Sequence, residues 1–229
     1  MLCFACALAS STSAFADVGS GYTLFGDAEY ISPSHSSNRA VKLDANDPSE
    51  FGGIDFAVTA EFTLADLDSL STNYMFPIGS TCGGGSPRFQ IKVDHDRNPA
   101  TADRSIFIYI GPTRSYAGCR SGIWTSTTNL VDPADLGDAS QLGGDAYQTW
   151  ASVKIAYGKV PVTGIELVTD TVAGLRTVLV DNVHIDGTVE SFEFTSKESC
   201  KKGGYRKFSF PPGPFENERQ CVSSFGRRK

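Results

Sequence analysis

A period of two in two neighbouring runs, with aliphatic or aromatic residues alternating first with polar residues and then with aromatic ones, constrains this chain more than any other feature. The runs cover residues 88–94 and 105–110, and a polar loop beginning at Asp94 joins them. Their apolar positions are Phe89, Ile91, Val93, Ile106, Ile108 and Ile110. A period of two is typical of half-buried strands, so the runs predict a β-hairpin at the centre of a sheet.

Further short runs with strand-like alternation follow one another along the chain. They cover residues 27–31, 39–43, 53–62, 73–78, 162–169 and 175–185. Clusters of Gly, Pro, Asn, Asp and Ser separate many of them, and such clusters favour turns. Spacing of this kind predicts an all-β chain folded as a sandwich or barrel.

Two stretches interrupt the strand pattern and predict short helices. In residues 63–70 the leucines recur every third position, with Thr63 as a possible N-cap, which indicates one or two helical turns. Residues 146–158 place Tyr147, Trp150, Ala151 and Ile155 on one helical face. We expect a single surface helix there, with its aromatic residues in core contacts.

The first sixteen residues are apolar or small and end in Ala14-Phe15-Ala16. This ending predicts a signal peptide, residues 1–16, with cleavage before Asp17. No basic residue precedes the apolar run, so a buried N-terminal strand is the alternative. The remaining chain divides into a β-sandwich domain, 17–189, and a linker with a basic tail, 190–229.

Four cysteines follow the predicted leader: Cys82, Cys119, Cys200 and Cys221. An even number of cysteines in an exported chain indicates two disulfides, for which three pairings are possible. Proximity in the sequence favours Cys82–Cys119 and Cys200–Cys221. Metal binding by these cysteines is disfavoured because no Cys-x-x-Cys spacing occurs among them.

Charge is divided unevenly between the body and the tail. Residues 197–229 contain nine basic and three acidic residues, a net charge of +6, whereas the whole chain carries −6, so the rest carries −12. An acidic body argues against nucleic acid as the partner. The tail is either a solvated, disulfide-bonded end or a segment that attaches the protein to an anionic cell-wall polymer.

Three segments of the body resemble secreted jelly-roll carbohydrate-binding modules of the galactose-binding-like type. They are Gly21-Tyr22 leading into Phe25–Ala28, the early strand Asn38–Leu43, and the closing strand Val178–Ile185. The resemblance implies a jelly-roll-like β-sandwich, and it implies a structural calcium ligand at Asp181. The block between Cys82 and Cys119 departs from the pattern of these modules.

The tail resembles a C-terminal motif of secreted bacterial proteins, C-K-x-G-G-W-x-x-F followed by F-x-N-x-G-x-C-V. Cys200–Phe208, Phe215–Asn217 and Gln220–Val222 carry the match. Tyr205 stands where tryptophan is usual. The resemblance implies a secreted bacterial protein without implying any particular chemistry.

Asp94, Asp96 and Asn98 offer oxygen ligands at alternate positions, as in the first half of a calcium loop. Pro99 occupies the position where an EF-hand needs glycine, so a calcium loop of another type or a plain polar turn remains. Asp181 falls between apolar residues of its strand, where a carboxylate is costly unless it is paired or binds metal.

No catalytic motif is present: the three histidines are far apart in the sequence, and no G-x-S-x-G elbow occurs. Tyr109, Tyr116 and Trp124 could form a surface on which sugar rings stack, or they could be core residues. We therefore expect a secreted, monomeric, non-catalytic module that binds an extracellular glycan or cell-wall polymer. A structural or surface-attachment protein is the alternative, followed by a polysaccharide hydrolase or lyase.

Overall fold

The computed structural model describes residues 21–31, 39–47, 50–98, 104–171, 174, 176–192, 197–207 and 215–224. The predicted signal peptide, 1–16, lies outside these residues. In chain order the strands are β1 (Tyr22–Gly26), β2 (Ala28–Ile31), β3 (Ala40–Ala45), β4 (Phe51–Phe56), β5 (Leu70–Met75), β6 (Arg88–Val93), β7 (Arg104–Tyr109), β8 (Thr125–Ser126), β9 (Leu136–Gly137), β10 (Gln148–Thr149), β11 (Val162–Asp170), β12 (Arg176–Ile185) and β13 (Thr188–Glu190).

Two antiparallel sheets contain most of these strands. The first sheet has the order β1-β4-β11-β6-β7, and the second has the order β2-β3-β12-β5-β8, with β13 paired to the end of β12. The short strands β9 and β10 form a separate ribbon. The apolar faces of both sheets contribute to one buried cluster, so the predicted jelly-roll-like β-sandwich is confirmed.

The predicted hairpin is present, but it does not lie at the centre of its sheet. Strand β6 pairs antiparallel with β7 from Arg88↔Tyr109 to Val93↔Arg104. The six alternating apolar residues are all buried. Strand β7 forms one edge of the first sheet, because β11 separates the hairpin from β4 and β1.

The helix predicted over residues 63–70 is wrong. Its three leucines are fully buried as the pattern indicated, but the segment is a series of turns. The backbone N–H groups of Leu64 and Ala65 donate to the carbonyls of Val160 and Gly158, at 3.1 and 2.8 Å. These long-range hydrogen bonds use donors of the segment and tie it to the chain before β11.

The second predicted helix is present as α1 (Trp150–Tyr157), but its buried face differs from the predicted one. Trp150 and Val153, three residues apart, face the core. Ile155 is 88% exposed, and Tyr147 precedes the helix. The helix begins three residues after Tyr147, since Thr149 is its N-cap and accepts a hydrogen bond from the Ser152 N–H.

Strand β12 contains an irregularity that the alternation could not reveal. Val178, Val180, Val183 and Ile185 all belong to the core cluster, although strict alternation placed the first two opposite the last two. The register with β5 shifts between Asp181 and His184. At Asn182 the φ angle is +47°, and this bulge exchanges the inward and outward positions of the residues that follow it. Asp181 is fully buried beside this bulge.

Both predicted disulfides are present, Cys82–Cys119 and Cys200–Cys221. The second one joins two parts of the tail: a 3₁₀ turn at Lys197–Cys200 and the helix α2 (Glu218–Ser224). Tyr30 of β2 packs against this disulfide, so the tail contacts the edge of the second sheet. Among the described helices, none is long and apolar enough to cross a membrane.

Arg176, at the start of β12, is buried and holds the turn that follows Cys82. Its Nη1 donates to the carbonyl oxygens of Gly83 and Ser86, at 2.5 and 2.7 Å, and its Nε donates to that of Gly174 at 3.3 Å. Burial lowers the pKa of Arg176, against the opposing effect of Asp170. The carbonyls of Gly83 and Ser86 also accept each other's N–H groups across an isolated β-bridge, so the guanidinium is a second, charged donor that reinforces this turn.

We predict that Arg176→Lys lowers the free energy of unfolding by about 1–2 kcal/mol, because one ammonium cannot reproduce the fork and the carbonyls of Gly83, Ser86 and Gly174 lose charged hydrogen bonds. Urea denaturation followed by circular dichroism measures the change. Arg104→Lys, at an exposed position at the start of β7, is the matched control and should stay within about 0.5 kcal/mol of wild type. Equal stability of the two variants would contradict the anchoring role.

Candidate functional site

A cleft of about 420 Å³ opens on the side of the sandwich where β7 and β8 form the edges of their sheets. It is bounded by the loop after β7, by β8 and by the chain that leads to β9. Its lining residues are Tyr74, Ile108, Tyr109, Gly111, Pro112, Thr113, Tyr116, Gly118, Cys119, Arg120, Thr125, Ser126, Thr127, Thr128, Leu130, Asp135 and Leu136. Aromatic rings, hydroxyl groups and one charge of each sign therefore face a single opening.

Residues 127–138 cross the open side of the sandwich and close one end of this cleft. At its start, the segment is held to β5 by hydrogen bonds from the Thr127 and Leu130 N–H groups to Thr72 and Leu70 carbonyls, at 2.9 and 2.8 Å. At its end, Asp138 exchanges two backbone hydrogen bonds with Phe107 of β7. Both anchors are regular backbone hydrogen bonds, so the wall of the cleft is fixed to both sheets.

The Cys82–Cys119 disulfide holds the opposite wall in place. A Cβ atom on Gly111 would lie 3.0 and 3.1 Å from the two sulfur atoms, so any side chain there would crowd the disulfide. Gly111 also has φ of +137°, a conformation that side chains disfavour. Tyr116, five residues on, is thereby brought back over the end of β7.

Three tyrosines form a compact cluster at the cleft. The ring centres of Tyr109 and Tyr116 are 5.2 Å apart, and Tyr147 lies 6.2 Å from the first and 6.0 Å from the second. Tyr116 and Tyr147 are nearly parallel, with an angle of 15° between their rings. Tyr116 is only 6% exposed, whereas Tyr147 is 49% exposed, so the cluster extends from the cleft wall to the surface.

The phenol of Tyr109 is fixed by Asp138. Its hydroxyl donates to Oδ2 of Asp138 at 2.5 Å, and the other carboxylate oxygen accepts the N–H of Ser140 at 3.0 Å. Burial raises the pKa of Tyr109, and the hydrogen bond to the Asp138 carboxylate raises it further. Tyr109 therefore stays neutral and presents a fixed ring.

Two charged residues complete the lining. Arg120 is exposed, and Asp135 is partly exposed. Burial, followed by the neighbouring Asp132 carboxylate, raises the pKa of Asp135. The same kind of burial, with contributions from Tyr147 and Asp135, raises the pKa of Tyr116. A guanidinium, a carboxylate and neutral phenols make a polar lining with no excess of either charge.

The aromatic surface continues from the cleft onto the outer face of the first sheet. Phe107 and Tyr109 stack at 6.3 Å with an angle of 19°. Arg88 lies over the Phe107 ring at 5.1 Å and pairs with Asp170 at 2.7 Å. Phe107, Tyr109 and Tyr147 thus form a row of partly exposed rings, and the nearly buried Tyr116 packs against the last two.

Of the residues predicted to bind ligand, Tyr109 and Tyr116 lie together in the cleft. Trp124 does not line it, although the next two residues, Thr125 and Ser126, do. Arg120 and Asp135 both lie in loops without a motif, so no sequence pattern identifies them as site residues. Tyr147 was assigned to a helix face, and only the fold brings it to the other two tyrosines.

The predicted calcium ligands fall into two separate places. Asp94, Asp96 and Asn98 follow β6 of the first sheet, and Oδ1 of Asp96 accepts the Asn98 N–H at 3.0 Å. Asp181 lies in β12 of the second sheet, where its Oδ1 accepts the N–H of Asn182 at 2.8 Å. Within the described part of the chain, no three His, Cys, Asp or Glu residues are grouped closely enough to hold a metal ion.

Comparison with known proteins gives structural similarity alone. No protein-family model matches the sequence, and a search of curated proteins finds no match. The fold is similar to that of the family 11 carbohydrate-binding module of the cellulosomal cellulase Lic26A-Cel5E of Clostridium thermocellum. The sequences are 11% identical, the alignment covers 78% of this chain and 89% of that chain, and the TM-score is 0.39.

Two other solved structures are similar at the same level. One is a family 11 module from Clostridium thermocellum in complex with a β-1,3-1,4-mixed-linked tetrasaccharide. It is 12% identical, the alignment covers 76% of this chain and 89% of that chain, and the TM-score is 0.36. The other is an exo-β-agarase that is 15% identical. The alignment covers 77% of this chain and 25% of that chain, and the TM-score is 0.34. Similarity this low carries no argument about ligand or activity, so only the geometry of the cleft bears on function.

Proposed function

We propose that this chain is a secreted, non-catalytic module that binds a glycan in the cleft between β7 and β8. The observation that carries the proposal is the cluster of Tyr109, Tyr116 and Tyr147 at a polar cleft of about 420 Å³. The half-exposed ring of Tyr147 and the partly exposed ring of Tyr109 offer an apolar face to the C–H groups of a sugar ring, and the nearly buried Tyr116 supports both. Few other ligands combine such an apolar face with a polar edge.

The polar groups of the cleft suit the hydroxyls of a sugar. Thr113, Thr125, Thr127 and Thr128 line it with groups that can both donate and accept hydrogen bonds. Arg120 adds donors, and the carboxylate of Asp135 adds acceptors. A ligand rich in hydroxyls can pair with all of these, whereas an apolar ligand would leave them desolvated and unpaired.

The electrostatic balance favours a neutral glycan in this cleft. The two charged side chains in the lining compensate one another, and residues 1–196 carry a net charge of −12. The resulting negative potential lowers the local concentration of anionic polymers. We therefore expect neutral polysaccharides to bind here in preference to uronic or sulfated ones.

The carboxylates of the cleft support binding rather than hydrolysis. Asp135 is the one acidic side chain in the described lining of the cleft, whereas glycoside cleavage by acid and base requires a pair. Asp138, behind Tyr109, is occupied by the phenol and a backbone N–H. Secretion is part of the proposal, supported by the apolar leader and by two disulfides that suit an oxidising compartment.

We predict that the chain binds at least one neutral polysaccharide and that Arg120→Ala or Tyr147→Ala weakens this binding about tenfold, equivalent to about 1.4 kcal/mol. Affinity electrophoresis on gels that contain β-glucan, mannan or agarose measures the retardation. Both side chains are exposed, so neither change should disturb folding.

Arg104→Ala and Ile155→Ala provide matched controls, an exposed arginine and an exposed apolar residue outside the cleft lining. Both should be retarded like wild type. Retardation of all four variants to the wild-type extent would exclude the cleft as the site. No retardation on any neutral polysaccharide would overturn the proposed function.

We also propose calcium binding by the loop of Asp94, Asp96 and Asn98, which offers three oxygen-bearing side chains at alternate positions. An ion that binds only the folded state raises the melting temperature. The prediction is a rise of several degrees in millimolar CaCl₂ over chelator, absent from Asp96→Asn. If the rise in melting temperature persists in Asp96→Asn but is lost in Asp181→Asn, the calcium site lies at β12. If the melting temperature of the wild type does not rise, calcium binding is excluded.

A further inference from the structure

The tail forms a small folded unit, which we call the tail unit: residues 197–207 and 215–224. The Cys200–Cys221 disulfide is fully buried within it, and Tyr205, Phe215 and Val222 pack around this disulfide. Tyr30 of the second sheet joins the same cluster. The tail unit is therefore fixed against the body by an apolar contact, and its surface side chains have defined positions.

The surface of the tail unit is basic and opposite in charge to the body. Lys201, Lys202, Arg206 and Arg219 are all exposed. The tail unit contains six basic and three acidic residues, a net charge of +3, and residues 227–229 add three basic residues to the sequence, whereas residues 1–196 carry −12. Such separation of charge directs an anionic partner to the tail unit and away from the body.

One arginine of the tail unit is held on an aromatic ring. The guanidinium of Arg206 lies 5.4 Å from the centre of the Tyr205 ring, and its Nε donates to the Tyr205 hydroxyl at 3.1 Å. The Nη groups do not take part in that hydrogen bond. A planar guanidinium held in this way is suited to paired hydrogen bonds with a carboxylate or sulfate group.

The tail unit and the cleft lie at opposite edges of the second sheet. Tyr30 belongs to β2, the first strand in the order β2-β3-β12-β5-β8, and β8 borders the cleft. Four strand spacings separate these edges, a distance of about 19 Å. One ligand group cannot contact both places, so the tail unit is a second, independent surface.

We propose that the tail unit binds an anionic polysaccharide, one that carries carboxylate or sulfate groups. A flexible polysaccharide can contact a unit of this size at the edge of the molecule without following the acidic body. A planar anionic membrane or a stiff nucleic-acid duplex would extend beside the body, within the screening length of about 8–10 Å, and would be repelled by it. The chain then holds two polymers at once, a neutral one in the cleft and an anionic one at the tail unit.

Chromatography of the full chain on immobilised heparin and on immobilised alginate tests this proposal. The test variant is the triple substitution Lys202→Ala, Arg206→Ala and Arg219→Ala. The matched control removes three exposed basic residues of the body, by Arg97→Ala, Arg104→Ala and Lys159→Ala. Both variants change the net charge equally, so a difference between them reports on position.

We expect wild type and the body control to be retained on one of the two columns at low salt and to elute with added salt. The tail variant should pass through unretained, a loss of at least tenfold in affinity. Urea denaturation should give wild-type stability for both variants, since all six side chains are exposed. Arg120→Ala should be retained like wild type, which separates this result from failure of the cleft proposal.

Three results would overturn the proposal. Wild type could pass through both columns at low salt. The tail variant could be retained as strongly as the body control. Wild type could instead sediment with vesicles that contain phosphatidylglycerol and show no retention on either polysaccharide, which would identify the tail unit as a membrane-binding surface.

Discussion

Burial of two apolar sheet faces against each other is the interaction on which the rest of this structure depends. Alternation along β6 and β7, and along their counterparts in the second sheet, provides those faces. A sandwich built in this way has open sides, where the edge strands of both sheets meet water. This chain covers those sides with its irregular segments, and the candidate surfaces lie where it does so.

The two open sides are treated differently, which explains why the inserted segments matter. On the β2 side, the disulfide-bonded tail unit packs on Tyr30. On the β7 and β8 side, residues 127–138 span from β5 to β7 and leave a cleft instead of a closed wall. The Cys82–Cys119 disulfide and Arg176 hold the loops that face this segment. Covalent and charged anchors are used here because loops provide few regular backbone hydrogen bonds.

Local pattern predicted much of the sandwich and little of what interrupts it. Period-two alternation identified β6, β7 and β11, because one face of each strand is buried in the core. It failed at β12, where one residue with positive φ at Asn182 exchanges the faces of the strand. It also failed at residues 63–70, where leucine spacing fitted a helix. There the N–H groups of Leu64 and Ala65 donate to distant carbonyls, and no local rule anticipates those partners.

The candidate site shows the same division between local and long-range information. Tyr109 and Tyr116 were selected as exposed rings; Tyr109 is partly exposed on the outer face of its strand, whereas Tyr116 is only 6% exposed because the loop returns it onto Tyr109. Arg120 and Asp135 reach the cleft from two different loops, one held by the Cys82–Cys119 disulfide and one by the crossing of residues 127–138, and Tyr147 packs on the two tyrosines of the lining. Charge was more informative than any motif, since the contrast between the acidic body and the basic tail is a sum over many residues. That sum is the reason we propose different ligands for the two surfaces, because the field of the acidic body lowers the local concentration of anionic polymers and a positive tail raises it. In this proposal the chain holds a neutral and an anionic polymer without competition between them.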